Sequence, residues 1–180
     1  MKYLKRYTII GIVFVLITGT LAHFLYSWTG NNYIAGLFAP VNESIWEHMK
    51  LLFFPMLLYS IFLIFRFKGS YPCITSSLSF GILTGTLLIP IFYYTYTSVL
   101  GKNIFILDIG TFLLSIFITF RLSYKLTLSC KLEPYTILLC CLICVLLICF
   151  LLFTYNSPDA KIFEDPAASR SARFFHFISA

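Results

Sequence analysis

Two histidines and three carboxylates stand inside or at the edge of apolar runs: His23, Glu43, Glu47, His48 and Asp108. Imidazole nitrogen and carboxylate oxygen together hold borderline divalent cations such as zinc. The same groups act as general acids and bases. The densest part is Pro40-Val41-Asn42-Glu43-Ser44-Ile45-Trp46-Glu47-His48-Met49-Lys50, which opens an apolar run over 51–65. An ionisable side chain at mid-membrane costs about 2.5–3.5 kcal/mol on insertion scales, less near the ends, so such groups face a bundle interior or a water-filled cavity. The candidate catalytic residues are Glu47, His48 and Asp108. The candidate ligands for a divalent metal ion are His23, Glu43, Glu47 and His48. Tyr93, Tyr94 and Trp46 are candidates to orient a substrate.

Depth is what unites these groups. At about 1.5 Å of rise per helical residue, His23 before Trp28, Glu47 and His48 after Asn42, and Asp108 after Asn103 all fall about 7–9 Å beneath one membrane surface. Tyr93 and Tyr94 fall about 9–10 Å from Leu100 by the same measure. Each residue also has a plainer role. Asn42 and Glu43 suit a helix start, as cap and first-turn carboxylate. Glu47 can pair with Lys50 at i+3. His23 and Asp108 can be hydrogen-bonded interior groups, Asp108 with a tyrosine, and Trp46 and Tyr26 suit an aromatic belt. The His-Glu-x-x-His spacing of zinc proteases, a Gly-x-Ser-x-Gly elbow and a glycine-rich nucleotide loop do not occur in the sequence.

The elements that position these groups follow from composition. Of 180 residues, 59% are hydrophobic and 11% charged, with a mean hydropathy of +0.90. That balance excludes an ordinary soluble domain and predicts an all-α integral membrane bundle of about five transmembrane helices. The spans fall at about 7–28, 42–65, 73–97, 104–120 and 135–155. They form a single transmembrane domain over 1–155, and a polar tail follows over 156–180, ending in Phe174-Phe175-His176-Phe177. The apolar run of the first span is too long for a signal peptide, so that span is retained. Residues 29–42 predict a short interfacial or re-entrant segment. Pro90 predicts a kink. Ser77, Gly81 and Gly85, four residues apart, make a small-residue face suited to close helix packing, and a membrane partner or a second copy could dock there.

The net charge of +6 comes from basic residues clustered between apolar runs, a topology signal rather than a nucleic-acid surface. Lys2, Lys5, Arg6, Arg66, Lys68, Arg121, Lys125 and Lys131 share one side. The positive-inside rule puts that side and the N-terminus in the cytoplasm, and the tail outside. Four of the six cysteines, Cys140, Cys141, Cys144 and Cys149, lie in one apolar run, which is no disulfide framework. Cys141-x-x-Cys144 reads as structural.

The run Pro40-Val41-Asn42-Glu43-Ser44-x-Trp46-Glu47-His48-x-Lys50-Leu51 resembles an uncharacterised family of small multi-pass bacterial membrane proteins, common in Gram-positive Firmicutes. The similarity continues through Tyr93-Tyr94-Thr95-Tyr96-Thr97, Asp108-Ile109 and Phe163-Glu164-Asp165-Pro166. The resemblance implies a bacterial plasma membrane and a shared fold, and no substrate. Three functions fit the residues. One is a membrane-embedded enzyme, metal-dependent or acid–base, on a lipid-like substrate. The second is a small carrier or ion-binding protein, and the third is a structural or accessory subunit of a membrane complex.

Overall fold

The computed structural model describes residues 2–166, and these are all-helical, with no strand among them. In an apolar setting a helix satisfies its own backbone, which is why long apolar runs take this form. The helices are α1 (Lys2–Trp28), α2 (Tyr33–Phe38), α3 (Ile45–Phe67), α4 (Ile74–Leu100), α5 (Phe105–Ser129) and α6 (Thr136–Phe153). All but α2 are long and apolar enough to cross a membrane. The re-entrant segment expected over 29–42 contains α2, a single short helix capped by the Asn32 side chain, which accepts from the Ile34 and Ala35 amides. α5 runs on past the expected end at 120, through Arg121 and Lys125 to Ser129. Those basic side chains reach water from within the helix and do not end it. α4 continues without interruption across Pro90.

α4 is the centre of the bundle and packs on α3, α5 and α6, while α1 lies against α3 and α5. Its small-residue face is what admits α5. A Cβ added at Gly81 would run into the Ser123 side chain, and one at Gly85 into Thr119. The docking surface expected there for a membrane partner or a second copy is therefore filled by the chain's own α5. A four-residue repeat of small residues predicts a close approach without saying which helix makes it. Ser77 lies beneath the same face, its hydroxyl donating to the Cys73 carbonyl at 2.8 Å.

The buried core runs along α3 and α4, through Leu52, Phe53, Met56, Ile82 and Ile89, with Phe120 from α5 and Phe150 from α6. Tyr59 fastens α1 by donating to the Tyr7 carbonyl at 2.6 Å. Apolar side chains of α1, α5 and α6 point outward over most of their length, among them Ile9, Val13, Phe117, Ile137 and Val145. Outward apolar faces on helices of this length suit lipid contact.

Two further features depart from the sequence reading. Cys73 and Cys130, both outside the cysteine-rich run, form a disulfide with their Cα atoms 5.3 Å apart, joining the start of α4 to the end of α5. The tail also folds back as far as Pro166. Its turn Lys161–Phe163 packs on α3, and the Phe163 ring lies 4.9 Å from that of Trp46. The aromatic ending, Phe174 to Phe177, lies outside the described residues.

Candidate functional site

The site begins with how α3 starts. Ser44, not Asn42, is the cap: its hydroxyl accepts from the Glu47 amide at 3.4 Å, and Asn42 Oδ1 accepts from the Ser44 amide at 2.9 Å. The helix therefore begins at Ile45, and Glu43 stands ahead of it rather than in its first turn. Freed from that role, the half-exposed Glu43 carboxylate turns toward the two histidines. Its Oε2 is 3.4 Å from His48 Nε2 and its Oε1 is 3.9 Å from His23 Nε2. One ligand atom from each of the three residues lies within 4.8 Å of the others.

The His48 ring is anchored from behind. Its Nδ1 is 2.9 Å from the Ser44 carbonyl oxygen. A carbonyl only accepts, so Nδ1 carries the proton and donates. In the neutral ring Nε2 then presents a lone pair to the Glu43 carboxylate. Two electron-rich atoms facing each other at 3.4 Å repel unless a proton or a cation lies between them. Histidines that ligate metals show this anchoring, with the second nitrogen fixed on a carbonyl or carboxylate. Tetrahedral zinc with bonds of about 2.0–2.2 Å sets neighbouring ligand atoms about 3.3–3.6 Å apart; the His48–Glu43 separation of 3.4 Å falls in that range, while His23 at 3.9 Å from Glu43 would have to draw in. Two histidines and one carboxylate leave coordination positions open, the arrangement of catalytic rather than structural zinc. Buried His23 Nδ1 has no hydrogen-bond partner among the described residues, so that ring lacks the anchor that His48 has and offers Nε2 on the Glu43 side.

Glu47 looks the other way. About 100° separates neighbouring residues around a helix, and that step carries the Glu47 side chain away from the His23–Glu43–His48 group. There it accepts from the Val41 amide at 3.0 Å and from Lys50 Nζ at 2.7 Å. Lys50 is fully buried and also donates to the Gly36 carbonyl at 3.1 Å and to Thr154 Oγ1 at 2.6 Å. The pair ties α2, the loop at Val41, α3 and α6 together. Glu47 is thus brought together with Lys50 and not with His23, Glu43 and His48, because packing against α2 and α6 claims its side of α3.

A cavity of about 570 Å³ opens beside the histidines, at the end of the bundle where α1 and α4 finish and α3 and α5 begin. Its polar wall includes His23, Glu43, His48, Tyr93, Asn103 and Asp108. Asp108 is held by two neutral donors, the Tyr96 hydroxyl from α4 and Asn103 Nδ2 at 3.3 Å, and lies close enough for its charge to act on His48 and Glu43. Of the three residues expected to orient a substrate, Tyr93 lines the cavity, while Tyr94 and Trp46 do not. Tyr94 is exposed, its ring edge-on to that of Tyr93. Trp46 is buried among Phe150, Phe153 and Phe163, an interior anchor rather than a belt residue. Tyr96 is the tyrosine partner expected for Asp108, while Asn103 is not among the expected site residues. Their signal was proximity to Asp108 across the α4–α5 turn, which only the fold makes specific.

A family model described as a family of unknown function, DUF6512, matches residues 1–172. The chain belongs to this family. The DUF6512 match takes in all of the residues around the cavity, including Pro166 in the returning tail. No curated protein and no solved structure matches the chain.

Proposed function

We propose that this chain is a membrane-embedded, metal-dependent hydrolase acting on a lipid-like substrate near one surface of the bilayer. The observation that carries the reading is the His48 ring: its Nδ1 proton is committed to the Ser44 carbonyl and its Nε2 lone pair faces Glu43, with His23 alongside. His23, Glu43 and His48 would hold a divalent cation, most suitably zinc, which would polarise a water molecule or a substrate carbonyl. Asp108 is the general base, accepting the proton of the attacking water while Tyr96 and Asn103 keep its carboxylate oriented. Tyr93 lines the same cavity and orients the substrate.

The setting is a multi-pass protein of a bacterial plasma membrane. The basic end of the bundle faces the cytoplasm and the cavity faces outward, by the positive-inside rule and by the family resemblance noted above; the Cys73–Cys130 pair lies at that basic end, where cytoplasmic reductants would hold it as two thiols. A structural reading is favoured for a different part of the molecule, the Glu47–Lys50 pair, whose contacts are those of a lock between helices. A carrier would use the same ligands as the hydrolase without changing its cargo.

The deciding experiment is metal analysis of protein purified without chelator. About one zinc per chain is expected, falling to under a tenth in His48→Ala and Glu43→Gln and kept in Glu47→Gln. Folded protein without metal, or metal retained in His48→Ala, would sink the proposal. Lipid extracts of overexpressing and deletion strains then separate enzyme from carrier, since only an enzyme alters lipid composition.

A further inference from the structure

Among the described residues, the ionisable groups lining the cavity are the carboxylates of Glu43 and Asp108, the imidazoles of His23 and His48 and the phenol of Tyr93; no lysine or arginine lines it. Lys50, one helical step away on α3, has nothing to offer a ligand. An ammonium has three N–H donors, and its three go to Glu47, Gly36 and Thr154. The N-terminal ends of α3 and α5, which would otherwise attract an anion, each already have a carboxylate beside them, Glu43 and Asp108. A single divalent cation held by His23, Glu43 and His48 would neutralise those two carboxylates and leave no surplus positive charge. Phosphate-bearing ligands are ordinarily met by arginine, lysine or unopposed helix N-termini. Among the described residues, this cavity has none of these to spare.

Below the polar wall the lining changes character within one helical turn. Leu51 follows His48 on α3, Ile89 precedes Tyr93 on α4, and Phe112 follows Asp108 on α5, and all three line the cavity. Each lies three or four residues deeper, about 4.5–6 Å along its helix. Thr20 and Thr111 also line this deeper layer, but their hydroxyls donate to the Leu16 and Asp108 carbonyls, so a polar layer rests on a mainly apolar one, the profile of an amphiphile with its head outward. The cavity of about 570 Å³ is of the size that encloses a small ligand, roughly 300–1,000 Å³.

We infer, resting on the hydrolase reading above, that the substrate is a long-chain acyl ester or amide whose head group bears no net charge and no phosphate. The acyl carbonyl lies at His23, Glu43 and His48, with the chain between Leu51, Ile89 and Phe112. Water gives a proton to Asp108 and its oxygen bonds to the acyl carbon. The bond from that carbon to the ester oxygen or amide nitrogen breaks, and the Asp108 proton passes to the departing atom. The products are a fatty acid and an alcohol or amine, with no change of oxidation state.

The test uses the full chain, zinc-loaded in detergent, with three probes of equal chain length: a monoacylglycerol, the N-acylethanolamine and the phosphate ester of the monoacylglycerol. A phosphate buried without a counter-charge gives up its hydration with nothing in return, so the two uncharged probes should bind about tenfold or more tighter than the phosphate ester. Free fatty acid should be released from at least one of the uncharged probes, which tells ester from amide, and Asp108→Asn should stop that release and narrow the binding gap. Equal or tighter binding of the phosphate ester, comparable cleavage of it, or binding of none of the three would overturn the inference. Metal content measured on the same samples keeps the two failures apart. Absent metal with the uncharged probes still preferred defeats the hydrolase and with it the acyl cleavage. Bound metal with the preference reversed defeats the substrate assignment alone.

Discussion

Lys50 is the residue whose loss the fold should feel most. It is fully buried, and all of its donors are engaged. Removing one partner of a buried ion pair costs about 3–5 kcal/mol, because the other is left charged and unmatched. Lys50→Met and Glu47→Gln should each lower stability on that scale in thermal unfolding in detergent. The double change Glu47→Leu with Lys50→Met should recover most of the loss, since a well-packed apolar pair is often neutral relative to a buried ion pair. Zinc content should be unaffected in every folded member of the series; coupled loss of zinc and stability would mean that the lock and the histidine group are one site. The sequence made the unusual residue types and their common depth legible. It did not divide Glu47 from Glu43, because that division depends on the cap falling at Ser44 and on α2 and α6 lying against the Glu47 side of α3. The i+3 pairing of Glu47 with Lys50 was readable from spacing alone. The backbone anchor of His48 was not, since no side chain announces it.

Among the elements, α4 and α5 make the most exacting contact. Gly85 faces Thr119 and Gly81 faces Ser123, with no room for a methyl group at either glycine. Gly85→Val should therefore destabilise the protein by about 1–3 kcal/mol, the usual cost of overpacking. Thr119→Ala should return part of that loss in the double variant, as residues in contact are energetically coupled. Additive losses would place the strain elsewhere. The five long helices were legible because apolar length and basic punctuation are strong signals. Their ends were less so. α5 extends beyond Arg121 and Lys125 because a basic side chain can reach water from a helix that continues. The pairing of Cys73 with Cys130 left no trace in the spacing, since a disulfide depends on where the turns meet in space.

For the molecule as a whole, the charge asymmetry sets the proposed orientation, and that orientation can be tested directly. With the native cysteines replaced by serine, a cysteine at Asn31 should react with a membrane-impermeant maleimide on intact cells, and one at Lys68 only after lysis. The opposite pattern would turn the cavity toward the cytoplasm. The outward apolar faces of α1 and α6 suit packing against lipid, so detergent choice should matter more for this protein than for a bundle that buries all of its helices. The cystine spans 57 positions of sequence, and with the backbone through α4, the turn at Gly101 and α5 it closes a ring. A protease that nicked the ring once at that turn would leave a molecule of unchanged mass apart from one added water. Its two pieces would part only when a reductant opened the sulfur bridge.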